Sequence, residues 1–237
     1  MTNYKTAFRQ SLAHPEEYWA EQAASVAWYK SPGSMLGKDS NGNDTWFSDG
    51  ELNSSYLALD YHIEQGRGDQ TALIYDSPVT NSTASYSYIE LRDEVAKFAG
   101  VLASLTIGQR DRVIIYMPMI PQAVIAMLAC ARLGAIHSVV FGGFAAKELA
   151  TRIDDATPKA ILCASCGIEF SKVIAYKPLI DEALQISEHK IDHCLVYQRP
   201  ESVAEMVNAW DRDWDSLLAM ATPADPVSLP SSHPLYI

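Results

Sequence analysis

Several short stretches of this 237-residue sequence carry residue types that could do chemistry. Cys163-Ala164-Ser165-Cys166 has the spacing of a redox dithiol or of half a zinc site. A zinc site would need a second pair, and only His193-Cys194 is offered. A thiol oxidoreductase would place the pair at a helix start with its first cysteine exposed. Cys163 instead falls in an apolar run that suits a buried strand, so the structural reading is favoured. Asp60-Tyr61-His62 brings a carboxylate near an imidazole, for metal ligation or acid–base work, against the plainer reading of a satisfied helical pair. Phe141-Gly142-Gly143-Phe144 sets two aromatic rings around glycines. Such rings can stack on a flat base, and glycine lets a ligand approach the backbone. The competing reading is a tight strand-to-helix turn. Lys172, a little further on, is placed to meet an anion. Neither G-x-G-x-x-G nor G-x-x-x-x-G-K-[ST] occurs, so no standard phosphate loop is present.

The elements that must position these residues are legible around Ile114–Gly143. Ile114 to Met117 is short, apolar and rich in branched residues, which suits a strand buried on both faces. Pro118 and Pro121 then break the chain, and a proline fits the first turn of a helix, where its missing N–H costs nothing. Gln122 to Leu133 is nearly all apolar, as expected of a helix buried on most sides. Gly134 suits the left-handed residue that stops it. Ala135 to Phe141 reads as a second buried strand. Strand, helix and strand in this length make one βαβ crossover with parallel neighbouring strands. Ala160 to Ala164 and Ile191 to Tyr197 are further buried strands, with helices near Leu149–Ala156, Tyr176–Ile186 and Trp210–Met220. At the exit of the first of these strands, Ser165-Cys166-Gly167 reads as a loop. The predicted fold is therefore α/β and doubly wound, a mostly parallel sheet flanked by helices. Ligands of such sheets collect beyond the carboxyl ends of the strands. Three exits should lie side by side there: Met117-Pro118, Phe141-Gly142-Gly143 and Ser165-Cys166-Gly167.

Before this core, Pro15 to about Ala24 and Leu52 to Ile63 read as helices. Residues 31–50 are loop-like, with Trp46 and Phe47 as anchors on the body. Thr71–Tyr75 and Ala84–Tyr88 predict a hairpin around Ser77-Pro78-Val79-Thr80-Asn81-Ser82-Thr83. Ser87 and Glu90 form a capping box ahead of an apolar stripe at Leu91, Val95, Phe98, Leu102 and Leu105. Glu148 and Arg152 are spaced to pair across one helical turn. The end of the sequence is a proline-broken linker followed by Leu235-Tyr236-Ile237, the opening of a strand.

Composition narrows the classes. Hydrophobic residues make up 48% of the chain, which supports a real core. The formal net charge of −11 argues against non-specific nucleic-acid binding and against an anionic membrane surface. No apolar run approaches a membrane span, and the first residues lack a signal-peptide core. A cytoplasmic setting is expected, or a mitochondrial matrix. The four cysteines are too few for a disulfide scaffold.

Long blocks of the sequence resemble one known family. HPEEYW, GELNSSY with ALDYH, GRGDQTALIY, DRVIIYMPMIPQAV, ARLGAIHSVVFGGFAAKELATRIDDATPKAIL and ASCGIE follow one another as in short-chain acyl-CoA synthetases of the adenylate-forming superfamily. The block from Asp111 to Glu169 looks closest to propionyl-CoA synthetases, with acetyl-CoA synthetases as the nearest relatives. The resemblance implies a ligase that uses Mg2+ and ATP to convert propionate or acetate to an acyl-adenylate, then hands the acyl group to coenzyme A. It implies an N-terminal extension over residues 1–66 and the first part of the large adenylation domain over 67–237. The phosphate loop, acyl pocket and catalytic lysine of the family lie beyond Ile237. These residues alone are therefore expected to be inactive.

The resemblance also assigns candidate coenzyme A contacts. In acetyl-CoA synthetases the loop matching Phe141, Gly142 and Gly143 packs against the adenine end of the coenzyme, and two basic residues meet its phosphates. The matching positions are Glu169 and Lys172. Glu169 departs from the acetyl-type arginine, and a carboxylate would repel a phosphate. Lys172 keeps the charge, as a point ammonium rather than a fork. Substrates are expected to be small molecules, with neither nucleic acid nor membrane as partner, and exposed sheet surface would favour self-association. Two other readings stay open on the residues alone: a stand-alone α/β module binding coenzyme A or a nucleotide without catalysis, and a thiol-redox protein built on Cys163 and Cys166.

Overall fold

The computed structural model describes residues 3–237, and these fall into two units. The first takes the chain up to Asn53 together with Ser228–His233. Helix α1, Tyr4–Ala13, is capped by Asn3, whose Oδ1 accepts from the Lys5 N–H at 3.0 Å. None of its residues is buried, so no core-facing stripe announces it in the sequence. Helix α2, Pro15–Ala23, starts on a proline as expected. The stretch read as loop contains a small hairpin, β1 (Leu36–Lys38) and β2 (Asp44–Trp46), closed by Asp39, which accepts from the Asn41 and Asn43 N–H groups. Trp46 and Phe47 pack within this same unit, on Trp19 and Trp28. Strand β3, Glu51–Leu52, pairs antiparallel with Leu229–Pro230.

The second unit holds the rest. Its first helical segment contains two π-helical turns, Tyr56–Asp60 and Ile63–Arg67, with Gly66 at φ +76. Strands β4 (Thr71–Ser77) and β5 (Ser82–Ser87) form the predicted hairpin. Both strands run closer to the turn than the sequence suggested, because Pro78–Asn81 make the reversal, with Asn81 at φ 49. The capping box is present: Ser87 Oγ accepts from the Glu90 N–H, and the Glu90 carboxylate accepts from the Ser87 N–H at 2.8 Å. It opens helix α3, Tyr88–Ser104.

The βαβ crossover follows as β6 (Arg112–Met117), α4 (Pro121–Leu133) and β7 (Ile136–Phe141), with Gly134 left-handed at φ 72. Next come α5 (Ala146–Ala156), β8 (Ala160–Ala164), β9 (Cys166–Glu169), β10 (Lys172–Ala175), α6 (Lys177–Ile186), β11 (His193–Tyr197), β12 (Asp211–Asp213) and α7 (Trp214–Ala219). The main sheet has the order β12-β11-β8-β6-β7, and every pairing in it is parallel. Period-two alternation sends Val113, Ile115 and Met117 to one face with α3, α4 and Trp214, and Ile114 and Tyr116 to the other with α5 and α6. That is the doubly wound arrangement.

Two expectations change. Ser165-Cys166-Gly167 does not form an exit loop: Cys166 opens β9, which folds back antiparallel on β10. The two-residue reversal at Phe170-Ser171, with Phe170 at φ 55, makes that hairpin possible. The helix expected from Trp210 begins only at Trp214, because Asp211–Asp213 add an edge strand to β11 and Asp213 caps the helix through the Ser216 N–H. The linker after Met220 is tied down: the Ala224 N–H donates to Ala96 O at 2.9 Å, and Gly100 in α3 leaves room for the Thr222 carbonyl. Among the described residues no helix is long and apolar enough to cross a membrane.

Candidate functional site

The three strand exits converge as expected, because β8, β6 and β7 are neighbours. Beyond them lies a cleft of about 330 Å3, floored by Met117, Pro118, Phe141 and Gly142 and walled by Tyr75 and Thr80 of the β4–β5 hairpin. Glu169, Tyr176 and Arg199 also face it. The lining is mostly apolar, with few polar groups to fix orientation, which is the usual make-up of a small-molecule site.

The 141–144 turn is held from below. Tyr116 is fully buried, and its hydroxyl donates to Phe144 O at 2.9 Å while accepting from the Gly143 N–H at 3.2 Å. Gly143 sits at φ +126, where a side chain would be strained. Gly142 has a different reason. A Cβ there would stand 2.5 Å from the Tyr176 hydroxyl, and a Cβ on Gly167 would clash with the same atom. Tyr176 therefore threads between two glycines from adjacent exits, its ring 4.9 Å from that of Tyr116. Neither of the two readings of Gly142, ligand approach or simple turn, anticipated a tyrosine filling the gap. Burial, helped by Tyr116 and Glu169, pushes the Tyr176 phenol up to about 12, so it is a neutral group at working pH. Its hydroxyl makes no hydrogen bond to another described residue.

Phe141 is 67% exposed, with an open ring face. Its neighbour Phe144 lies at 5.8 Å and carries the Arg152 guanidinium 5.5 Å from its centroid. Arg152 is thus engaged with this ring, and no ion pair with Glu148 forms. Lys172 stands on β10, exposed, directly across the hairpin from Glu169. It does not line the cleft, whereas Glu169 does, its Oε1 leaning towards Gly143.

Lys177 is a cation that the topology buries, as it does Arg132 and Arg199. Its Nζ donates to Asp181 at 2.6 and 2.8 Å and lies 3.1 Å from Asp211, while Asn208 braces both carboxylates. Burial pulls its pKa down, but the two carboxylates outweigh burial and hold it above the usual lysine value. Sequence reasoning missed Tyr176, Lys177 and Arg199. Only the Lys177/Asp181 spacing carried a signal, that of an ion pair one helical turn apart.

The other motifs resolve as structural. Asp60 accepts two bonds from Arg132, at 2.7 and 3.0 Å, and Arg132 Nε donates to Ala224 O. His62 Nδ1 accepts from Arg67 Nε at 2.9 Å, and its ring lies 4.7 Å from that of Tyr88. All four cysteines are free and buried. Cys166, expected in a loop, is buried in β9. Cys163 Sγ lies 4.0 Å from Cys194 Sγ on one sheet face. That contact and burial push the Cys163 thiol up; burial raises Cys166 and takes Cys130 to about 12. A redox dithiol needs the opposite shift. Among the described residues no group of three His, Cys, Asp or Glu side chains converges to hold a metal ion.

Comparison with known proteins adds to this geometry. Residues 60–237 match the family model described as AMP-binding enzyme, and residues 4–58 match that of the acetyl-coenzyme A synthetase N-terminus. An uncharacterized protein of Pseudomonas aeruginosa is 59% identical over 234 residues, covering 99% of this chain and 37% of the relative. The mitochondrial acyl-CoA synthetase short-chain family member 3 of Bos taurus is 49% identical over 235 residues, with 99% and 34% covered. The chain therefore spans little more than a third of the length of these relatives. The solved structure of an acetoacetyl-CoA synthetase from Streptomyces lividans superposes with a TM-score of 0.87 over 100% of this chain and 36% of that one, at 24% identity, which speaks to the fold alone.

Proposed function

This chain belongs to the AMP-binding enzyme family, and from that premise we propose that it is the N-terminal portion of an acid–thiol ligase. The complete enzyme would convert a short-chain carboxylate, propionate or acetate, with ATP and coenzyme A into acyl-CoA, AMP and pyrophosphate through an acyl-adenylate. The observation that carries this reading is the end-to-end placement of the two family matches, 4–58 and 60–237, in a chain that also aligns with an acyl-CoA synthetase along 99% of its length. Propionate is the preferred acid, on the likeness of Asp111–Glu169 to propionyl-type sequences. Residues 1–66 are assigned to the N-terminal extension and 67–237 to the first part of the adenylation domain. The setting is cytoplasmic or the mitochondrial matrix, and the open apolar edge of β7 at Val139 and Phe141 is where copies would associate.

Within this portion we assign the cleft at Phe141, Gly142 and Gly143 to coenzyme A. The exposed Phe141 ring and the pinned backbone beside it suit a flat base. The phosphate side fits less well, since Glu169 brings a carboxylate to the cleft and Lys172 stands outside it. What these side chains do is hold the thiol substrate. Tyr116 fixes the turn, Tyr176 closes the floor and Phe141 supplies a stacking face.

The test is AMP formation by the complete gene product with propionate or acetate and coenzyme A. No AMP with either acid would sink the ligase reading. Phe141→Ala in the same protein should raise the KM for coenzyme A roughly tenfold, as loss of base stacking does. It should leave coenzyme-independent ATP–pyrophosphate exchange unchanged. An unchanged KM would remove the assignment of the cleft while leaving the ligase intact.

A further inference from the structure

A hollow of about 410 Å3 lies between α6 and the chain that follows β11. None of its lining residues lines the coenzyme cleft. One wall is the side of α6 that carries Asp181 and Glu182, and the other is the stretch 202–207. Residues 203–207 have the pattern of a strand without a sheet. Ala204 and Met206 pack against the core on the α5–α6 face, whereas Val203 and Val207 are 70% and 73% exposed, with Glu205 exposed between them. That is the period-two alternation of a strand. One side of it is already satisfied, because the Gln198 carboxamide takes the place of a neighbouring strand. Its Oε1 accepts from the Ala204 N–H at 2.9 Å, and its Nε2 donates to Ala204 O at 3.1 Å. Successive residues of an extended chain aim their main-chain groups to opposite sides, so those of Val203 and Glu205 are turned away from Gln198. Neither residue's N–H or C=O hydrogen-bonds to another described residue. An open edge of this kind is a template for an added strand.

The charges across the hollow select the strand. Among the described residues Lys177 is the one cation that lines it, and its ammonium is taken up by Asp181 and Asp211. Glu182 and Glu205, one from each wall, are exposed and form no ion pair with a described residue. A strand laid between the walls would meet a free carboxylate on either side and the apolar faces of Val203 and Val207. Side chains alternate along a strand, so lysine or arginine alternating with apolar residues would match both. We propose that this hollow binds a basic extended segment of a partner protein, adding it as a strand to the 203–207 edge. The proposal rests on neither the coenzyme cleft nor the ligase reading.

The experiment is an amide NMR titration of the 237-residue chain, at low salt, with a short synthetic peptide of alternating lysine and valine. Saturable shifts at Val203, Glu205 and Val207 are expected. The same peptide N-methylated along its backbone cannot donate to the edge and should bind at least about tenfold more weakly. A counterpart with glutamate in place of lysine should not bind. The double variant Glu182→Gln, Glu205→Gln changes only exposed side chains and should weaken the lysine peptide about tenfold. Absence of saturation at these amides overturns the proposal. Equal affinity for the N-methylated peptide overturns strand addition, and equal affinity for the glutamate peptide or in the double variant overturns the choice of a basic partner. The same shifts on raising the protein concentration without peptide would make the occupant a second copy of the chain, and would overturn it too.

Discussion

The two ends of the parallel sheet treat their polar groups in opposite ways. At the amino end, basic side chains are consumed by main-chain carbonyls. Arg112 donates to Ala156 O and Thr157 O where α5 ends. Lys159 donates to Thr106 O, and Lys190 to Leu184 O and Ser187 O where α6 ends. These cations satisfy the carbonyls that every helix leaves over, and they sit at the negative pole of the helix dipoles. At the carboxyl end, the hydroxyls of Tyr75, Tyr86, Tyr176 and Tyr197 have no hydrogen-bond partner among the described residues, Arg199 uses one guanidinium N–H on Cys166 O, and Phe141 is exposed. A basic cluster on its own is thus a poor guide to function in this molecule. The groups left incomplete mark the working end, and the completed ones mark the scaffold.

The largest effect expected is at the scaffold. The crossover returns α4 to the amino side, where Arg132 on its last turn joins Asp60 and the chain at Ala224. Arg132→Ala leaves a carboxylate buried without its cation and should cost about 3–5 kcal/mol, read as a lower urea midpoint. A loss below about 1 kcal/mol would place this pair with ordinary surface salt bridges. Gly167→Ala comes next, at the carboxyl end. Its methyl must displace Tyr176, for an overpacking penalty of about 1–3 kcal/mol. In the double variant with Tyr176→Ala that penalty should largely disappear, and a purely additive cycle would show that Tyr176 does not set the need for glycine. Lys159→Ala should cost about 1 kcal/mol, since the group is partly exposed, and should leave ligand binding at the carboxyl end untouched. A change in that binding would break the contrast between the two ends.

The smallest effect is a pH dependence confined to the amino end. His137 on β7 and His193 at the start of β11 are both held below the ordinary value of 6.5, chiefly by burial. The folded state then binds fewer protons than the unfolded one. The stability each contributes is present above 6.5 and is lost as pH falls from there towards the folded value. Unfolding midpoints should decline over that interval, and His137→Gln should flatten the slope. An unchanged slope in both His137→Gln and His193→Gln would assign the acid sensitivity to other groups.

How much could be read in advance follows from the range of each interaction. The crossover from β6 to β7, the capping box at Ser87 and Glu90, and the stop at Gly134 were legible because each is fixed by residues a few positions apart. Helix α1 escaped because it buries none of its side chains, so no apolar stripe faces a core. The β9–β10 hairpin escaped because it depends on a left-handed turn at Phe170, a residue with no turn signature. Helix α7 was drawn too long because pairing with β11 captured Asp211–Asp213. At the site, Phe141, Gly142 and Gly143 stood out as residue types, but the reason for Gly142 did not.

The sequence by itself determined the class of fold, the order of the strands' exits and the structural nature of the cysteines, through periodicities that act along the chain. Only the tertiary structure decided that Tyr176 fills the space between Gly142 and Gly167, that Asp60 belongs to Arg132, and that Arg199 rather than Lys172 is the cation facing the cleft. Apart from Gly167 with Tyr176, those pairings join residues tens of positions apart. They exist because burial beside the sheet denies each polar group water and leaves it only the partner that packing brings within reach.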